Sequence, residues 1–262
     1  MLRRTPLVSL LAFAAIAAQV ASSAAQSPSG AAEKVAQSAE AAGSAGARVL
    51  QVSGPVFMGD EVSTSRSGEA QIRFADNTRF VVGPNARVLI DRFVYSGGSA
   101  RAATFSAVRG AFRFISGDSP KGAYLIRTPV MTIGVRGTGL DGFVETGTGR
   151  TTIALYEGAA ELCDVSNQCI VIEAGCTIVV APPGGGFEQP TPATRGLFLP
   201  YSVSQASLLP QYRLDTSACG GAVPSFRTPG ESGGGSGGGS GPGGGTSRGG
   251  TQGGGGGDGE GR

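Results

Sequence analysis

The feature that most restricts the fold of this chain is its punctuation. Turn-forming groups stand at Gly59-Asp60, Asp76-Asn77, Gly83-Pro84-Asn85, Gly97-Gly98, Gly117-Asp118, Gly147, Gly158, Asn167 and Gly175, all residue types that accept or impose the dihedrals of a tight turn. Between them apolar and polar residues alternate. In "AQIRF" Ala70, Ile72 and Phe74 point one way and Gln71 and Arg73 the other, and the same period of two runs through "ARVLID", "AFRF", "MTIGV", "TTIALYE" and "CIVIEAG". A two-residue period means half-buried strands, and no window keeps a helical repeat over three turns. The expectation is an all-β fold of many short strands in a roll-like or solenoid-like stack, with a β-sandwich as the alternative. After Pro192 the apolar residues cluster instead, and 202–209 reads as a short helix lying on the β body.

Composition divides the chain. Arg3 and Arg4 precede an apolar run from Leu7 to Val20 and a small-residue exit, "ASSAAQ", which reads as a cleavable signal peptide over 1–25 and places the mature protein in the periplasm or outside the cell. The run is too short to span a bilayer as a helix, for which ~20 apolar residues are needed, so no transmembrane segment is expected in the mature chain. Residues 26–46 are small, polar and alanine-rich and read as a flexible linker. Residues 47–190 form the β domain, 191–220 a C-terminal segment packed on it, and 221–262 a disordered tail, with 20 glycines among its last 33 positions.

The chain contains no histidine, which excludes Ser-His-Asp triads, HExxH zinc sites and His-ligated haem. "TPVMTIGVRGTGLDGF", residues 128–143, sets four glycines around a lone arginine. A dinucleotide fingerprint needs Gly-x-Gly-x-x-Gly between a strand and a helix. Here the order is Gly-x-x-Gly-x-Gly between strand-like runs, and no Gly-Lys-Ser/Thr triplet occurs. The stretch therefore reads as a bend in a β wall: Gly134 permits close backbone approach and Gly137 a dihedral that a Cβ obstructs. Arg136 is expected to satisfy loop carbonyls, with a ligand carboxylate or phosphate as its functional alternative.

Asp60, Asp76, Asp91, Asp118 and Glu157 are the carboxylates a histidine-free glycosidase could use. Each sits beside a turn residue or strand end, and Asp60, Asp76 and Asn77, with Gly59 and Gly83, read as turn formers. Residues 48–136 hold 12 Arg or Lys against six Asp or Glu. The arginines, among them Arg66, Arg73, Arg79, Arg87, Arg92, Arg109 and Arg113, occupy the polar phase of the strands and read as a solvated face. They lack the interleaved aromatics of a nucleic-acid site, which leaves an anionic glycan or an acidic protein surface as a partner. No cofactor, metal or catalytic group is assigned.

Four cysteines in an exported chain point to disulfides. Cys163 and Cys169 flank "DVSNQ" between strand-like runs, and an antiparallel hairpin brings such positions into bonding range. That pairing leaves Cys176 for Cys219.

"SGPVFMGDEVSTSRSGEAQIRFADNTRFVVGPNARVLIDRFVY" (53–95), "VRGAFRFISG" (108–117) and "TPVMTIGVRGT" (128–138) resemble the FecR domain, over roughly residues 48–181. The resemblance implies an exported, β-rich, non-enzymatic module. Founding members regulate a sigma factor through an N-terminal cytoplasmic domain and a membrane helix. A signal peptide stands in that place here, so the resemblance implies the binding or scaffolding module alone. A component of cell-surface signalling is the first alternative and a glycan or cell-wall hydrolase the second.

Overall fold

The computed structural model describes residues 26–44, 46–173, 175–192 and 207–217, all within one compact unit, Met1–Pro229. Fourteen strands follow in order: β1 (Gly30–Ala36), β2 (Ala39–Gly43), β3 (Gly46–Val49), β4 (Pro55–Val56), β5 (Glu61–Thr64), β6 (Glu69–Phe74), β7 (Arg79–Val82), β8 (Arg87–Ser96), β9 (Ser99–Ile115), β10 (Tyr124–Arg127), β11 (Met131–Val144), β12 (Thr151–Asp164), β13 (Cys169–Glu173) and β14 (Thr177–Ala181). All belong to one hydrogen-bonded sheet, and among the described residues β9 and β10 form its parallel pair. The all-β reading holds.

Three long strands make that sheet a roll, because each changes partners part-way along. The end of β9, Gly110–Ile115, pairs with β11 and its last residues with β7, while its earlier part pairs with β8 and β10. The start of β11 lies beside β10 and its end beside β9. The first part of β12 pairs with β14 and the last with β13. Each strand carries a positive-φ glycine at its crossover: Gly110 (φ 81°), Gly137 (φ 71°) and Gly158 (φ 77°). In β11 and β12 the ladder also loses register between Arg136 and Gly139, the signature of a bulge that bends the strand. One half of the sheet thus runs β14-β12-β11-β9-β7-β6-β1, and the other runs from β13 through β12, β11, β10, β9, β8 and β5 to β2.

The two halves share one core. Phe74 and Phe80 of the first half meet Phe105 of the second at ring-centroid distances of 5.0 and 5.1 Å, and Phe74 lies 5.2 Å from Phe93. The alternation in the sequence aims these rings inward.

Residues 26–46 depart from the sequence reading. They contain β1 and β2, with Ala32, Ala39 and Ala41 fully buried. Low β propensity misleads here because the neighbouring strands supply the ladder, and small side chains allow close approach. A Cβ on Gly30 would come within 2.4 Å of the Arg73 carbonyl oxygen. The helix expected over 202–209 lies mostly outside the described residues; Ser207–Leu209 are not helical, and a 3-10 turn follows at Pro210–Tyr212. Leu209 precedes a proline and takes φ −59°, ψ 148°, as such a residue must to avoid the ring.

Cys163 and Cys169 are directly opposed in the β12–β13 hairpin and joined by a disulfide, with Cα atoms 4.1 Å apart. Cys176 is also disulfide-bonded; Cys219, expected as its partner, lies outside the described residues, as do the signal-peptide and tail segments. No described helix is long and apolar enough to cross a membrane.

The bulge glycines separate two costs. A Cβ on Gly137 would meet only Lys121 Cε at 3.8 Å, whereas one on Gly158 would lie 1.9 Å from the Gly137 carbonyl oxygen. Gly137→Ala is expected to lose ~1–2 kcal/mol for its left-handed dihedral alone. Gly158→Ala should lose clearly more, since backbone must move. Urea denaturation of both variants checks this; equal losses would show that the corner yields freely.

Candidate functional site

The half-sheet β14-β12-β11-β9-β7-β6-β1 has a second face, opposite the phenylalanine core. One row of opposed residues crosses it: Gln71 against Val81, Val81 against Arg113, Arg113 against Asp141, Asp141 against Ala154, Ala154 against Ile178. Because Phe112 and Phe114 point into the core, Arg113 between them must point to this face. There it is wholly buried, and Asp141 is 4% exposed.

Arg113 and Asp141 form a two-pronged ion pair, Nε donating to Oδ1 at 2.6 Å and Nη2 to Oδ2 at 2.8 Å. Tyr156 donates its hydroxyl to Asp141 Oδ2 at 3.1 Å, and the guanidinium carbon lies 5.9 Å from the Tyr156 ring centre. Burial alone would lower the Arg113 pKa, but the hydrogen bonds and charge of Asp141 outweigh it and hold it above the ordinary value. Burial and the Asp141 charge also push the Tyr156 hydroxyl up. At neutral pH the Arg113 guanidinium is therefore charged and the Tyr156 phenol neutral.

The C-terminal segment covers this face. Arg113 Nη1 donates to the Tyr212 carbonyl at 3.0 Å, and the Leu209 amide donates to Gln71 Oε1 at 3.2 Å. Gln71 Nε2 is turned to Glu69 Oε1 at 2.7 Å, which leaves the amide oxygen free to accept. Leu208 and Tyr212 pack on Val81, with Ile115 and Leu209 beside them. Leu214 sits over Gly139, where a Cβ would approach its Cδ2 to 2.5 Å. Gln211 Nε2 reaches Glu33 Oε2 at 3.1 Å. The segment thus lies on the sheet as a strap, held at its middle by a buried guanidinium.

Several sequence assignments gain partners. Gly59 has φ 87°, and Asp60 beside it is buried, accepting from the Phe57 amide at 2.7 Å and from both Arg48 Nη atoms. Asp76 accepts from the Thr78 amide, Ser119 Oγ and the Tyr124 hydroxyl at 3.1, 2.6 and 2.9 Å. Asn77 takes φ 64° and donates to Asp118 at 2.6 Å, and Asp91 accepts from Ser106 at 2.6 Å. A Cβ on Gly83 would lie 2.8 Å from the Ala111 carbonyl oxygen. Glu157 is exposed on β12 opposite Gly139.

Three assignments are corrected. Gly134 makes no close approach, its nearest neighbours standing 3.8 Å from a built Cβ; Gly139 and Gly142 do, against Leu214 and Phe112. Arg136 does not serve loop carbonyls: it points outward on β11, 54% exposed, and pairs with Glu161 of the adjacent strand at 3.3 Å. Arg113 is not on a solvated face, because the polar phase of its strand is roofed by the strap. Of the other arginines, Arg73 does follow the solvated pattern, 51% exposed and paired with Glu33 at 2.7 Å. Among the described residues, Glu161, Cys163 and Cys169 are grouped as metal ligands are, but both sulfurs are tied in the disulfide.

The family model described as FecR protein matches residues 60–161, inside the span 48–181 that resembles the FecR domain. No curated protein matches the chain. Two crystal structures from Parabacteroides distasonis, each described as a "putative anti-sigma factor", are similar in structure. One is 12% identical with a TM-score of 0.41, covering 53% of this chain and 63% of its own. The other is 14% identical with a TM-score of 0.40, covering 52% and 64%. The chain thus spans less than two thirds of either.

Removing one member of the buried pair strands the other. Arg113→Met and Asp141→Leu are each expected to cost ~3–5 kcal/mol, and the double replacement to recover a large part of that loss. Urea denaturation at neutral pH measures the cycle. A double variant no more stable than the worse single would mean that the contacts to Tyr156 and Tyr212, rather than charge compensation, dominate.

Proposed function

We propose that this chain, which carries a FecR domain at residues 60–161, is a non-enzymatic signalling or regulatory component of the cell envelope that works by binding protein. The family match carries this reading. Two features support it. The most deeply built polar feature of the described residues, Arg113 with Asp141, ends on a peptide carbonyl, which is the chemistry of chain recognition. The carboxylates Asp60, Asp76, Asp91 and Asp118 all have partners within turns or strands. Committed to structure in this way, those carboxylates count against the hydrolase reading, and the family match favours the regulatory reading over a free-standing scaffold.

The proposed compartment is the periplasm or beyond, after cleavage near Ala25. Arg3, Arg4 and the short apolar run fit a signal peptide, and disulfides persist in an oxidising compartment. N-terminal sequencing of the mature protein is expected to begin close to residue 26.

Crosslinking in intact cells, combined with transcript profiling of a deletion strain, tests the role. The expected result is a crosslink to a membrane-spanning regulator and altered expression of a bounded gene set. Crosslinks confined to peptidoglycan or anionic glycan, with unchanged transcripts, would return the protein to a scaffolding role. Glycan turnover abolished by a carboxylate substitution would make it a hydrolase.

A further inference from the structure

We propose that the face built around Arg113 is a peptide-docking surface, that residues 207–217 occupy it in cis, and that a partner's segment of the same chemistry and shape replaces them. The inference rests on the reading of the domain as a protein-binding module.

Recognition of the strap is by backbone and sockets, as for a bound peptide. Arg113 Nη1 reads the carbonyl of Tyr212, and Gln71 Oε1 reads the amide of Leu209. Neither contact depends on which side chains the strap carries. Side-chain selection comes from Leu208, Tyr212 and Leu214, which are 2%, 0% and 6% exposed. Leu214 enters a hollow that exists only because Gly139 has no Cβ. The occupant is thus a segment with apolar, aromatic and apolar residues at positions i, i+4 and i+6, and a 3-10 turn between the first two.

The strap is also a replaceable occupant. Among the described residues its hold includes these three side chains, the Gln211–Glu33 contact and a few hydrogen bonds to the backbone; a bond from Cys176 to Cys219, as the sequence predicts, would tether its end without sealing the face, and such elements open locally well before the whole domain does. If it lifts, Arg113 loses its carbonyl acceptor inside a fixed ion pair, so the face favours another peptide carbonyl over an apolar cover. A competitor binds only the fraction of molecules with the strap lifted, which reduces its apparent affinity by that fraction. The surface is therefore closed by default and opened by a partner that competes.

The test uses the full chain and a labelled synthetic peptide, SLLPQYRLDTS, the sequence of 207–217. The unaltered chain should bind it weakly. A full chain with Tyr212→Ala and Leu214→Ala, its native fold checked by circular dichroism, should bind it at least about tenfold more tightly, because its surface is open. The same peptide with Tyr212→Ala should not bind, and adding Gly139→Val to the altered chain should abolish the gain. Equal or absent binding to the folded, altered chain overturns the proposal.

If the altered chain does not fold, hydrogen exchange on the unaltered chain decides. The Leu209 and Tyr212 amides should exchange at least about a hundredfold faster than those of Phe112 and Phe114; exchange in step with the core makes the strap a permanent part of the fold and ends the proposal. Dimerisation through exchanged straps, seen by sedimentation, would make the occupant a second copy and overturn the partner assignment. Peptide docking without any transcript change leaves the surface standing and removes the regulatory reading, whereas a regulatory phenotype without docking removes the surface.

Discussion

The ion pair between Arg113 and Asp141 sets the register on which the rest of the first half-sheet depends. Taking both groups out of water costs several kcal/mol for each ion, and only a fully satisfied geometry offsets that. Here the two prongs, the Tyr156 hydroxyl and the Tyr212 carbonyl supply it. The pair is opposed across β9 and β11, so slipping either strand by one residue would drive a charge into the layer of Phe112, Phe114 and Leu140. An apolar pair could fill the same space but would penalise that slip far less. The cluster therefore specifies pairing as much as it stabilises it.

What the pair fixes in register, three glycines fix in shape. Each of β9, β11 and β12 is long enough to serve both halves of the sheet, and a continuous strand can do so only by bending sharply. Gly110, Gly137 and Gly158 supply the positive φ that makes the corner. Gly137 and Gly158 also meet across the β11–β12 ladder, where the second comes so close to the first that no Cβ fits. The bend lets Phe74 and Phe80 face Phe93 and Phe105, and so closes one core from one sheet.

Much of this was legible in the sequence, because strand alternation and turn chemistry are local. Ile72 and Phe74 were aimed correctly by their period, Gly137 by its place between strand-like runs, and the Cys163–Cys169 bond by the length of its hairpin. What escaped depends on the rest of the fold. Alternation puts Arg113 opposite Phe112 but is silent on whether the opposite face meets water or a distant segment; its partner Tyr212 is 99 positions away. Composition hid β1 and β2 because alanine carries little intrinsic strand signal, and their ladder comes from β6 and β5. Gly134 and Gly139 look alike in sequence, and only the Leu214 side chain distinguishes them.

The polar centre of the roofed face bears on what happens when it is uncovered. A wholly apolar face would lose its hydrophobic stabilisation on opening, at roughly 25 cal/mol per Å² exposed, and would be left as a patch prone to non-specific association. Arg113, Asp141, Gln71 and Glu69 instead regain water when the strap leaves, which lowers the cost of opening and keeps the exposed face soluble. The same groups penalise any cover that lacks a carbonyl and an amide at the right places. A surface of this composition tolerates being open and discriminates strongly in what closes it, the two properties a competitive docking site needs and a permanently sealed core does not.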